Sequence, residues 1–267
     1  AAGGGGIAIW MSAYPPDYPV CSGNIVYNNT ITATATAPDY TCPGIAIGLD
    51  LRWGAYDDLT GNEDLSNNQI LNNNITAPGA LNGVGIEMGV LGLEGNETKI
   101  AATLGLIHDN TIQGNNIDGA DLGIYLYTII NMTILENEIK NCNEGIHIED
   151  GISNLIINYN NIFGNGVGIN NTAEEYIDAR YNWWGSPEGP TASPQAGDKI
   201  VGKIYYEPWL IEPYPPAIPV EALLYISPEI IDYWTVSSGK TFTVDVKIAN
   251  VTNLHACEFK LYWDTTL

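Results

Sequence analysis

The chain is 267 residues long and carries 31 acidic against 9 basic side chains, a formal net charge of -22. Nucleic acids and anionic membrane surfaces need clustered Lys and Arg, so both are excluded as partners, and polyanionic substrates such as pectate or alginate are disfavoured. Only 15% of residues are charged while 45% are apolar, which rules out a disordered acidic tail and allows one large domain, or one plus a smaller one.

Asparagine and glycine are abundant, with 28 and 29 copies against 2 Arg and 3 Phe. Turn formers in such excess over long helix formers predict an all-β chain with many corners. The chain opens on Ala1-Ala2-Gly3 and not on Met, as expected of an extracellular protein from which a signal peptide, or a longer upstream segment, is missing. No apolar run approaches the ~18–20 residues of a membrane helix, so direct insertion of this segment is not expected. Six Asn-x-Thr sequons, at Asn28, Asn74, Asn96, Asn131, Asn170 and Asn250, exceed chance for this composition and are candidate glycosylation sites.

From Gly6 to Asn182 two short patterns interleave. One is Gly-Ile opening an alternating stretch, at Gly6, Gly44, Gly85, Gly123, Gly145 and Gly168. The other is an Asn two positions before an apolar residue, at Asn29, Asn73, Asn110, Asn137, Asn160 and Asn182. The last intervals are 22 or 23 residues, and earlier ones are longer, as when loops are inserted into a constant unit. Three short strands in such a unit make one coil of a parallel β-helix. Isoleucines such as Ile139, Ile146 and Ile148 then point inward and stack about 4.8 Å apart. Asn in the left-handed conformation at each corner is expected to bond its amide to the next Asn, forming an internal ladder. Glycine suits a corner where a Cβ would clash. The match of Gly6-Ile7-Ala8-Ile9 to Gly44-Ile45-Ala46-Ile47 places the start of the chain partway round a coil. Cys21 and Cys42 fall in one long early coil and are a candidate disulfide.

At the far end come Trp183-Trp184-Gly185-Ser186-Pro187 and then Tyr205-Tyr206-Glu207-Pro208-Trp209, rings and stiff turns suited to capping a solenoid. This stretch resembles the terminal coil of NosD-like right-handed β-helix proteins, also called carbohydrate-binding and sugar-hydrolase domains. The resemblance implies a right-handed parallel β-helix of about six to seven coils over residues 1–210. It leaves activity open, because such proteins include surface proteins, polysaccharide enzymes and accessory proteins.

Residues 211–219 contain Pro213, Pro215, Pro216 and Pro219 and read as a stiff linker. Beyond them, 222–226, 241–249 and 257–263 are strand-like, with Phe242, Val244, Val246 and Ile248 alternating with polar residues. Residues 220–267 resemble the start of a cohesin-like, immunoglobulin-type sandwich as on archaeal surface proteins. A sandwich needs about seven strands, so this partial β-sandwich is expected to be completed by further chain or by strands of a neighbouring copy.

Catalytic motifs are sparse. Arg52 and Arg180 are the only arginines, which departs from the basic groove of pectate-lyase-like proteins. Asp57-Asp58 is the one paired-acid motif of the polygalacturonase-like kind and supplies the catalytic candidates. Glu87, Glu94, Asp118 and Asp121 are candidate calcium ligands, and no other cofactor is expected. His147, between Ile146 and Ile148, points outward beside Glu149. Tyr125, Tyr127 and Tyr159 are outward aromatics suited to cross-coil stacking or to sugar contact. The expected role is structural: a subunit of a surface layer or filament whose partners are copies of itself. The alternatives are a polysaccharide lyase, hydrolase or epimerase, and a carbohydrate-binding or adhesion module.

Overall fold

Isoleucines spaced by one coil select which strand pairs with which, and the pairing observed follows them. The computed structural model describes residues 6–11, 20–32, 41–51, 61–77, 82–91, 97–190, 197–214, 223–227 and 245–249. Two compact units result, Ala1–Pro216 and Ala217–Leu267.

The first unit is a right-handed parallel β-helix with three sheets. The first sheet runs in the order Ile7–Met11, Cys42–Asp50, Gly83–Leu91, Leu122–Leu126, Glu144–Ile148, Val167–Asn171 and Ile200–Val201, one strand for each of seven coils. The second contains, among others, Ile25–Tyr27, Gln69–Leu71, Thr111–Gln113, Ile130–Leu135 and Ser153–Asn158. The third stacks Thr30–Thr32, Asn74–Thr76, Asn116–Asp118, Glu138–Lys140 and Asn161–Phe163. Inside, Ile7, Ile45, Ile86, Ile124, Ile146, Ile169 and Ile200 are in register. A second column is Val26, Ile70, Ile112, Ile134 and Ile157, and a third is Ile31, Ile75, Ile117, Ile139 and Ile162. Together these columns form one continuous core.

The Gly-Ile positions stack as expected. A Cβ on Gly123 would lie 2.4 Å from the Gly145 carbonyl oxygen and 2.8 Å from Ile139 Cγ2. That space is filled by the next coil, so a side chain is excluded there.

The asparagine ladder is present, but its rungs are Asn29, Asn73, Asn115, Asn137, Asn160 and Asn182. At each step the backbone N–H and the Nδ2 of one rung both donate to Oδ1 of the next, at 2.8–3.0 Å. The second Nδ2 hydrogen reaches back to a carbonyl, as Asn137 does to Ile112 at 3.0 Å. Every donor and acceptor of the buried amide is used, which is what allows so polar a column inside an apolar core.

Two details differ from the sequence-based expectation. Asn110 belongs to a separate corner column with Asn24 and Asn68, and the rung in its coil is Asn115. The left-handed residue is also not the rung but the one before it: Asn28, Asn72, Gly114, Glu136, Tyr159 and Tyr181, with φ of 54–68°. A left-handed residue turns the corner, and the next side chain then points into the coil. Tyr159 and Tyr181 stack on each other at 5.6 Å, consistent with cross-coil stacking.

Cys21 carries a free thiol, so the expected disulfide with Cys42 is not formed. Cys42 opens a first-sheet strand with its side chain fully buried, whereas Cys21 lies ahead of the Asn24 corner and accepts from Asn24 Nδ2 at 3.4 Å. A helix, Glu97–Thr103, occupies the long insertion after Gly83–Leu91, where no helix was expected. Trp184 is fully buried at the C-terminal end, and Trp209 Nε1 donates to the Pro187 carbonyl at 3.1 Å. The first part of the Pro-rich stretch lies on this unit: Tyr214 N–H donates to Asn161 Oδ1 at 2.7 Å, and its hydroxyl donates to Glu136 at 3.0 Å.

In the second unit Leu223–Ser227 and Asp245–Ala249 pair antiparallel, with Leu223 opposite Ala249. The third expected run, 257–263, lies outside the described residues.

Candidate functional site

Parallel in-register stacking turns single residues, one coil apart, into a row on the outer face. On the first sheet that row reads Ala46, Glu87, Tyr125, His147, Asn170 and Val201. No repeat dictates these residues, and four of the six are polar or titratable.

Glu87 is completely buried. It accepts from the Tyr127 hydroxyl at 2.8 Å and from the Thr41 hydroxyl at 2.9 Å. Tyr127 is itself only 6% exposed, with its ring against the backbone of Gly89, where a Cβ would lie 2.4 Å from it. This burial differs from the outward position expected for stacking or sugar contact. Burial, and then the Glu87 carboxylate, push the Tyr127 phenol well above its ordinary pKa, so it stays protonated and donates.

Tyr125 packs 4.8 Å from Tyr127 and edge-on to His147 at 5.4 Å. Burial, and then the neighbouring Glu149 carboxylate, raise its pKa too. His147 Nδ1 lies 2.5 Å from Glu144 Oε2, and Nε2 lies 3.6 Å from Glu149 Oε1. Asn170 Nδ2 reaches both oxygens of Glu144 at 3.1 and 3.2 Å. The outward position expected for His147 beside Glu149 is therefore observed, but within a bonded network and not as a bare surface residue.

The expected metal ligands are not drawn together. Glu87 is committed to Tyr127 and Thr41. Asp118 accepts from Asn141 at 2.8 Å, Asp121 accepts from Asn143, and Glu94 lies outside the described residues. Among the described residues no group of three or more His, Cys, Asp or Glu is arranged to hold a metal. The candidate acids Asp57 and Asp58 also lie outside the described residues.

Of the sequons, Asn28, Asn74 and Asn131 are exposed, Asn170 is tied to Glu144, and Asn96 and Asn250 are outside the described residues. Elsewhere, His108 sits 2.7 Å from Asp109 and 3.4 Å from Asp64. A hollow of about 590 Å³ is lined by Pro187, Glu207, Pro208, Trp209 and Ile211. Sequence reasoning missed the buried Glu87–Tyr127 pair, because a Glu in an apolar run carries no mark of its partner 40 residues away.

The fold defines the class: a right-handed parallel β-helix protein. Comparison with protein families agrees, since residues 58–182 match the family model described as right-handed β-helix region. Such a scaffold fits polysaccharide-active enzymes and surface proteins alike. No curated protein and no solved structure matches the chain. No helix among the described residues is long and apolar enough to cross a membrane.

Proposed function

We propose that this chain is a non-catalytic structural module of an extracellular surface protein, a β-helix stiffened by its asparagine columns, which assembles with copies of itself into a layer or filament. One observation carries the reading. On this outward row the titratable groups engage one another: Glu87 accepts from Tyr127, and His147 lies between Glu144 and Glu149. A general base or nucleophile has to offer a free position to substrate, and this network spends those positions internally. The net charge of -22 suits a secreted surface, and exposed Asn28, Asn74 and Asn131 suit glycan attachment. Electron microscopy of native material tests the proposal: filaments or lattices are expected, and isolated monomers alone overturn it.

A second reading, a carbohydrate-binding module, is favoured by the half-buried ring of Tyr125 in one outward row with His147 and then Asn170. Saturable binding of a neutral glycan without turnover, lost in Tyr125→Ala, would establish it. Saccharide turnover that disappears in Asp57→Asn or Asp58→Asn would instead establish an enzyme.

A further inference from the structure

His147 has a carboxylate at each ring nitrogen, Glu144 at 2.5 Å and Glu149 at 3.6 Å. A neutral imidazole has one N–H and one lone pair, so it serves only one of them. The imidazolium has two N–H groups and serves both. The groups facing the ring come from three successive coils. Glu144 and Glu149 belong to its own coil. Tyr125, edge-on at 5.4 Å, comes from the preceding one, with Glu87 further along the same row. Asn170, uncharged, comes from the following coil and holds Glu144. Glu144, Glu149 and Glu87 are all carboxylates.

We propose that this arrangement is a pH-sensitive latch on the outer wall: protonated His147 ties Glu144 to Glu149 and, through Asn170 and Tyr125, joins the fourth, fifth and sixth coils. Loss of the proton releases one carboxylate, leaves Glu144 and Glu149 without a cation between them, and loosens the wall. The latch stands on its own geometry and does not depend on the structural role proposed above.

The direction of the pH dependence follows from the surroundings. Burial opposes charge on the ring, but Glu149 and Glu144 outweigh it and raise the His147 pKa above the ordinary 6.5. The ion-pair contact with His147 lowers the Glu149 pKa below the ordinary 4.5, against the effect of burial. The raised histidine contributes stability that is fully present below its unfolded value and is lost as pH rises through its folded value. The lowered carboxyl contributes above its unfolded value and is lost as pH falls through its folded one. Between those limits the latch holds, and outside them it weakens.

The test is an NMR titration of the histidine Cε1–H signals of the intact chain, assigned with His147→Gln, alongside melting temperature against pH. His147 is expected to titrate above the ordinary histidine value, and to move back towards it in Glu149→Gln. The wild-type melting temperature should fall by about 2–4 °C as pH passes that midpoint, and His147→Gln should lack this step. A midpoint at or below the ordinary value overturns the latch, as does an identical step in His147→Gln. Should His147→Gln fail to fold, the Glu149→Gln titration decides alone: an unmoved midpoint overturns the proposal.

Discussion

Two corners of the same coil reach the same backbone geometry by different chemistry. At the corner between the second and third sheets the inward residue is Asn in six successive coils, from Asn29 to Asn182. At the corner just before the second sheet's main strands it begins as Asn24, Asn68 and Asn110. It then becomes apolar: Thr111 pairs with Thr133, and Met132 with Leu155, which puts buried Met132 and Leu155 in the Asn110 column. The residue before each is left-handed throughout, as in Asn67, Asp109, Asn131 and Asn154. The turn is therefore made by the left-handed residue, and the inward side chain has only to fill the space without stranding a polar group. An amide ladder and an apolar stack both meet that condition.

The largest loss is expected of Asn137→Ala in the unbroken column. It removes the acceptor of the Asn115 backbone N–H and Nδ2, and the donor to the Ile112 carbonyl, all inside the core. A loss of about 3–5 kcal/mol is expected in urea unfolding, and a loss below ~1 kcal/mol would mean that the column carries little stability. Tyr127→Phe comes next, because it takes one of the two hydroxyl donors from the buried Glu87 carboxylate. The cost should be about 1–3 kcal/mol and should shrink when Glu87→Gln is added, as a double-mutant cycle would read.

Asn110→Leu copies what Met132 and Leu155 already do one and two coils on. It strands only the Asn68 backbone N–H and frees the Leu65 carbonyl, so a smaller loss of about 1–2 kcal/mol is expected. A penalty equal to that of Asn137→Ala would show that the apolar solution does not transfer between coils. The smallest effect belongs to the left-handed position. Asn131 is exposed at φ 51°, so Asn131→Gly should stay within about 0.5 kcal/mol, while Asn131→Val should cost about 1–2 kcal/mol. Thermal melts of the pair separate backbone strain from side-chain loss.

Much of the β-helix was legible in the amino-acid order because a solenoid repeats its requirements. Gly123 and Gly145 recur at coil spacing since a Cβ would clash with the next glycine's carbonyl each time, Gly168 since a Cβ would meet Asp198, and Ile124, Ile146 and Ile169 recur since they share one column. Asn110 was assigned to the wrong column for an equally physical reason: two corners 5 residues apart both favour Asn before a β-branched residue, as in Asn110-Thr111-Ile112 and Asn115-Asn116-Ile117. The left-handed residue was missed because Glu136, Tyr159 and Tyr181, at φ 56–60°, are not types that prefer that conformation. Cross-coil stacking and hydrogen bonds hold them there, Tyr159 on Tyr181 and Glu136 on Tyr214.

The order of residues specifies the part that repeats: the all-β class, the 22–23-residue coil, the glycine and isoleucine columns, and the presence of an asparagine ladder. The remainder was set by folding in three dimensions. Glu87 finds Tyr127, His147 finds Glu144 and Glu149 on one surface, and Cys21 stays apart from Cys42. The physical reason is the same in each case. A repeated contact leaves a period in the chain, whereas a contact made once, between residues that register alone brings opposite each other, leaves none.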